Sequence, residues 1–394
     1  MSRKLLWHSN APWAGTGYAT QTATFALRLK EHYDLAISSF WGLEGGVIPW
    51  HGIPVLPAAS PNGYGNDTIL EHLKVFGDRD AMIVTLMDVW VLEANVWAGL
   101  NVASWVPVDH EPAPRPVVDF FKQTDAVPIA MARFGEQMLK DQGLDPLYVP
   151  HGVDTDAYRP RGKAKAREQL GLPNDAFIVG MVAANKGNPS RKCFAEALAA
   201  FAAFKETHDE AKLFLYTEAT GRFGGVNLPE LIHNLGVDPE SVIFSDQYRA
   251  VHFPHTPEKM GEIMSSFDVL LAPSAGEGFG VPVVEAQACG VPVIVSDFSA
   301  QPELVGAGWL VEGVNAYTAI GSWQFKPSVP DILESLRACY RRSEREVATH
   351  AENARAKALE YDAATVFEEF MLPALAECEQ RFDARKPQTL KVAA

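Results

Sequence analysis

The sequence predicts an α/β protein made of two doubly wound units that face each other across a cleft. Three observations carry that expectation. Short β-rich apolar runs alternate with helical stretches from end to end, which is the pattern of parallel sheets covered by helices. The 394 residues exceed what a single hydrophobic core usually serves. A segment rich in glycine, proline and charge, HGVDTDAYRPRGKAKAREQLGLPND (151–175), interrupts the rhythm near the middle.

In the first half the expected strands are KLLWHS (4–9), LAISSF (35–40), AMIVTLM (81–87), ASWVPV (103–108), AVPIA (126–130) and LYVP (147–150). In the second they are FIVGMVAA (177–184), KLFLYT (212–217), SVIFS (241–245), DVLLAPS (268–274) and VPVIVS (291–296). The division that follows is a first domain over 1–155, a linker over 156–175 and a second domain over 176–355. Residues 356–394 form a C-terminal helix packing back toward the first domain, with a tail, DARKPQTLKVAA (383–394), that frays. Open parallel sheets bind ligands at the carboxyl ends of their strands, so the cleft is the expected site.

Composition narrows the partners. A net charge of −15 repels phosphate backbones and anionic lipid, so a nucleic-acid partner is not expected. The densest basic stretch, RPRGKAKAR (159–167), reads as a solvated helix start. Cys193, Cys289, Cys339 and Cys378 form no Cys-x-x-Cys pair, which speaks against zinc or a redox couple and for reduced thiols in the cytoplasm. His8 and Asn10 break the N-terminal apolar run before signal-peptide length, and no stretch has the roughly 18 apolar residues of a membrane span. Seven of the nine tryptophans fall within residues 1–105, and core burial is the expected role for most of them.

The chemistry concentrates in PSAGEGFGVPVVEAQACGVPVI (273–294). A strand ending at Ser274 is followed by a helix with Pro282 in its first turn and Gly290 just past its end. Free N–H groups at Phe279, Gly280 and Val281 at the helix start, with the aligned peptide dipoles, make an anion site suited to a diphosphate. Gly278 and Gly280 let the ligand approach the backbone. Glu285 lies one turn after Pro282, and its carboxylate suits the vicinal hydroxyls of a ribose. Glu277 precedes the turn and can reach a sugar beyond the diphosphate. A plain capped surface helix would also favour an early glutamate, but it leaves Gly-Phe-Gly unexplained.

With these residues the chain resembles the retaining glycosyltransferases of family 4. The likeness rests on Glu277-x7-Glu285 within EGFGVPVVEAQACGVPVI and extends through SDFSAQPELV (296–305), GWLVEG (308–313) and HGVDTDAYRP (151–160). It implies the GT-B fold of two Rossmann-like domains, a nucleotide sugar as substrate (a UDP- or GDP-sugar), no other cofactor and no metal. It further implies an Arg and a Lys after the first strand of the second domain. Within VAANKGNPSRKCF (182–194) Lys192 falls at the lysine, while Lys186, Arg191 or both take the second cationic role. Gly15-Thr-Gly17 in SNAPWAGTGYATQT resembles the family's glycine loop facing the donor, and His110 in WVPVDHEPAPRP corresponds to a histidine near the transferred sugar.

The competing patterns are weaker. A dehydrogenase would need a third glycine where Thr20 stands and an acid after LAISSF, where the chain has Trp-Gly. DTD (154–156) and DRD (78–80) are discounted as metal sites. The expected activity is hexose transfer with retention, with His110, Glu277 and Lys192 as the catalytic set and a protein among the acceptors to be tested, since HSNAPWAGTGY resembles a loop of some phage-encoded transferases. The alternatives are a sugar-nucleotide epimerase of the same fold and a non-catalytic sugar-nucleotide-binding protein.

Overall fold

A computed structural model describes residues 3–385 apart from 61, 78, 253 and 254. The tail expected to fray lies outside the described residues beyond Arg385, as does the first Asp of DRD. The first sheet comprises β1 (Lys4–Asn10), β2 (Asp34–Trp41), β3 (Ile48–Trp50), β4 (Ile53–Leu56), β5 (Met82–Leu86), β6 (Val102–Val106), β7 (Val127–Ala130) and β8 (Leu147–Tyr148), in the order β3-β4-β2-β1-β5-β6-β7-β8. All neighbours are parallel except β3 and β4. Leu5 to Asn10 of β1 are all buried, as a central strand covered on both faces requires.

The second sheet comprises β9 (Phe177–Val182), β10 (Ala211–Tyr216), β11 (Val242–Phe244), β12 (Val269–Ala272), β13 (Val293–Ser296) and β14 (Gly308–Val311). It runs β11-β10-β9-β12-β13-β14 and is parallel throughout. A separate antiparallel hairpin, β15 (Gly313–Tyr317) with β16 (Trp323–Pro327), follows it. Each sheet thus reverses strand order beside its first strand, between β1 and β5 and between β9 and β12. A ligand crevice opens at such reversals, outside the carboxyl ends.

All eleven expected strands form. The expected strands did not include β14 or the β3–β4 pair, in which Pro49 of the edge strand β3 lies opposite Pro54. Fewer tryptophans are core residues than expected. Trp7, Trp97 and Trp105 are fully buried, Trp50 is half-buried, and Trp13, Trp41 and Trp90 are exposed.

The basic stretch does begin a helix, Lys163–Leu170, but Arg167 is buried rather than solvated. Its guanidinium binds Asp268 at 2.7 Å and the carbonyls of Ser266, Asn174 and Ala176, fastening this segment to the second domain. The chain passes between the domains twice, side by side, with Val153 N–H donating to the Tyr361 carbonyl and Ala363 N–H to that of Val153. A β-carbon on Gly152 would come within 2.9 Å of Ala363 Cα, so the two passes meet only because glycine stands there. The last helix, Leu372–Arg385, lies against the first domain, where Arg381 pairs with Asp145 at 2.9 Å.

Candidate active site

Most of the residues singled out by sequence meet where the two sets of carboxyl ends face each other. The loop after β12 carries Ala275 to Gly280 and leads into the helix Val281–Ala288, whose N-cap is Gly280 at φ 118°. Among the described residues no acceptor meets the N–H of Phe279, Gly280 or Val281. This is the local geometry of an anion cradle. The role expected of Gly278 changes, however. A β-carbon there would overlap Pro107 of the first domain, and one on Gly276 would overlap the Asp109 carbonyl. Both glycines therefore let the domains touch at the cleft floor.

Glu277 is buried and gathers cations. Arg191 donates to one of its oxygens at 2.9 Å and Lys192 to the other, while the Glu277 N–H donates to Ser299 Oγ at 2.9 Å. Burial alone would raise this carboxyl, but Arg191 and Lys192 outweigh it and hold it well below the usual carboxylate range. Burial in turn pulls Lys192 below its ordinary value. Of the two candidates left open for the second cation, the structure places Arg191 here. Lys186 is exposed and is not among the cations paired with Glu277.

The first domain supplies the opposite wall. Asp109 and His110 follow β6, and His110 Nδ1 lies 2.6 Å from Asp109 Oδ1. Burial raises the Asp109 carboxyl, but His110 and Arg191, the latter 3.7 Å away, bring it down on balance. An ionised carboxylate only accepts, so it fixes the His110 proton on Nδ1 and leaves Nε2 to meet a ligand. The glycine loop after β1 ends at Thr16, which caps the helix Gly17–Leu29 by accepting from Ala19 N–H at 3.1 Å and from Asn10 Nδ2 at 2.6 Å. Gly15 and Gly17 are exposed on this loop. Tyr18, in the first turn, donates to Asp88 beyond β5 at 3.4 Å.

Glu285 stands apart from the cations. It is buried beside Tyr158 and Tyr216, the latter closing β10, and burial pushes its carboxyl up to about 7 against a smaller opposing hydrogen bond from Tyr158. The two glutamates thus differ in kind, one locked ionised by cations and one held near neutrality by its apolar setting.

Sequence reading missed Tyr18 and Asp88, which carry no motif, and the hairpin β15–β16. Trp323 exchanges both backbone hydrogen bonds with Glu111, at 2.8 and 3.0 Å, while Phe325 N–H donates to the Ala275 carbonyl at 2.8 Å. One hairpin therefore ties the His110 loop to the Glu277 loop. Its alternating GVNAY and WQFKP with a turn between was the available signal.

Two Rossmann-like domains with this cleft define the GT-B fold. Residues 176–320 match the family model described as glycosyl transferases group 1. The D-inositol 3-phosphate glycosyltransferase of Stackebrandtia nassauensis is 29% identical over 282 residues, covering 67% of this chain and 61% of that protein. The protein of the same name from Acidothermus cellulolyticus is 31% identical over 176 residues, covering 42% and 36%. The chain therefore spans less than two thirds of the curated relatives it matches. Among solved structures, Anabaena HepE in complex with UDP-glucose superposes with a TM-score of 0.71 at 19% identity, over 95% of this chain and 99% of that one. Sucrose-phosphate synthase from Thermosynechococcus elongatus gives 0.72 at 17% identity, over 97% and 100%. Among the described residues no helix is long and apolar enough to cross a membrane.

Proposed function

We propose that the chain is a retaining glycosyltransferase that moves a hexose from a UDP- or GDP-sugar to an acceptor hydroxyl. One observation carries this: the open amides of Phe279 to Val281, the Arg191–Lys192 pair and His110 of the other domain converge on one cleft. The bond from the sugar's C1 to the diphosphate oxygen breaks with its electrons on the leaving group, and the amides with Arg191 and Lys192 stabilise the charge that builds there. The acceptor oxygen bonds to C1 on the same face, and its proton passes to the departing diphosphate. Glu277 sets the two cations, one on each oxygen, and its remaining lone pairs serve the sugar's hydroxyls. His110 Nε2 binds the sugar from the first domain, so closure completes the site. Glu285 accepts the ribose hydroxyls.

The family match, relatives named as glycosyltransferases and the likeness to HepE bound to UDP-glucose support the transfer and the donor class. The cations around the cradle support chemistry without a divalent metal. Four buried free thiols support a reducing compartment, the cytoplasm. The test is incubation with UDP-glucose or GDP-mannose, with and without acceptors, following the anomeric protons by NMR. An α-linked product from an α-linked donor, formed equally in the presence of a chelator, is the expected result. A β-linked product, a strict need for manganese, or a sugar isomer from donor alone would overturn retention, the metal-free site or transfer, respectively.

A further inference from the structure

The carboxyl ends of β2, β1 and β5 are neighbours in the first sheet, and each ends in or is followed by an exposed tryptophan. Trp41 closes β2 and is 49% exposed, Trp13 follows β1 at 38%, and Trp90 follows β5 at 60%. Strands lie about 4.8 Å apart, so the three segments that carry these tryptophans leave the sheet within about 10 Å of one another. Trp13 is fixed in place, its Nε1 donating to the Gly42 carbonyl at 2.8 Å, and the Ala11 N–H donates to the Trp41 carbonyl at 2.8 Å. Trp90 and Tyr18 both donate to Asp88, the half-buried carboxylate between them, which lies near Asp109 and Arg191.

The charge of this wall is as informative as its aromatics. The segments NAPWAGTGY (10–18), WGLEGGV (41–47) and MDVWVLE (87–93) contain Glu44, Asp88 and Glu93 but no lysine or arginine. Arg191, close to Asp88, pairs with Glu277 and Asp109 and in the function proposed above is committed to the donor diphosphate. A phosphorylated or acidic acceptor would meet carboxylates without a counter-charge. Indole faces beside a hydroxyl-accepting carboxylate instead suit a molecule with apolar C–H faces and neutral hydroxyls.

We propose that the acceptor is an uncharged saccharide seated on Trp13, Trp41 and Trp90, with Asp88 accepting one of its hydroxyls. The inference rests on the transferase function proposed above and adds the acceptor class. It sets this chain apart from the relatives named for D-inositol 3-phosphate, whose acceptor is anionic.

The experiment measures nucleotide release from UDP-glucose or GDP-mannose with maltose, cellobiose, D-inositol 3-phosphate, glucose 6-phosphate or an acidic peptide as acceptor, alongside the melting shift with UDP or GDP. Acceleration by an uncharged disaccharide and by none of the anionic acceptors is expected. Trp90→Ala and Asp88→Asn should each raise the acceptor KM about tenfold, the loss of one anchoring contact, while the nucleotide melting shift stays as in the parent protein. No acceleration by the uncharged saccharides, turnover of an anionic acceptor, or an unchanged acceptor KM in both variants overturns the inference. Absence of any nucleotide shift in the parent protein instead strikes the transferase function on which it rests.

Discussion

Replacing Glu285 by glutamine probes the nucleoside end of the cleft through its own titration. Burial lifts this carboxyl from 4.5 to about 7. The folded state therefore holds the proton more tightly than the unfolded chain does. Stability from the protonated group is fully present below about pH 4.5 and is lost as pH rises through about 7. The difference of about 2.5 units corresponds to about 3 kcal/mol. Glutamine cannot ionise, so Glu285→Gln should gain on the parent protein by about 3 kcal/mol between pH 4.5 and 8.5. The neighbours Tyr158, Tyr216 and Cys289 all have raised values, so none of them ionises in this window to mask the effect. Urea unfolding of both proteins at half-unit steps measures the difference directly. Binding adds a second signature. Ribose hydroxyls donate to the ionised form, so nucleotide binding near pH 6.5 should release a proton from the parent protein but not from the variant, as read by calorimetry in buffers of different ionisation enthalpy. Superimposable stability profiles and equal proton release would refute the reasoning.

Other perturbations separate the cations from the domain contact. Lys192→Ala removes one charge facing the leaving group and should lower kcat about 10²- to 10³-fold, the usual effect of losing one preorganised donor, with a smaller change in donor KM; an unchanged kcat in steady-state assays would remove Lys192 from the mechanism. Gly278→Ala forces a methyl against Pro107 and should cost about 1–3 kcal/mol of closure, widening the molecule in solution scattering and lowering kcat/KM about tenfold or more. Unaltered scattering and kinetics would show that the domains do not need this contact.

Much of the fold was legible because buried parallel strands leave continuous apolar runs, and all eleven expected strands are present. β3 and its neighbour β4 were not, since both carry prolines that read as turns. At the site, Glu277 and the Gly-Phe-Gly turn were legible because they sit together in one strand–loop–helix segment, whereas Lys192 came only from the resemblance, since it meets Glu277 across 85 residues of chain. Lys186 and Arg191 could not be told apart by spacing within one loop; the structure separates them through packing, with the Arg191 carbonyl accepting from Ala275 N–H at 2.8 Å. Tyr18 and Asp88 were invisible because they meet only through the pairing of β1 with β5. Gly278 was singled out for backbone access to a ligand, whereas its neighbour is Pro107, and only the docking of two domains reveals that.

The most direct measurement is a crystal structure with UDP-glucose or GDP-mannose bound. Diphosphate oxygens should lie within hydrogen-bond distance of the Phe279 to Val281 amides and of Arg191 or Lys192, with the ribose hydroxyls on Glu285. A nucleotide bound elsewhere, or with its phosphates turned away from the helix start, would contradict the site.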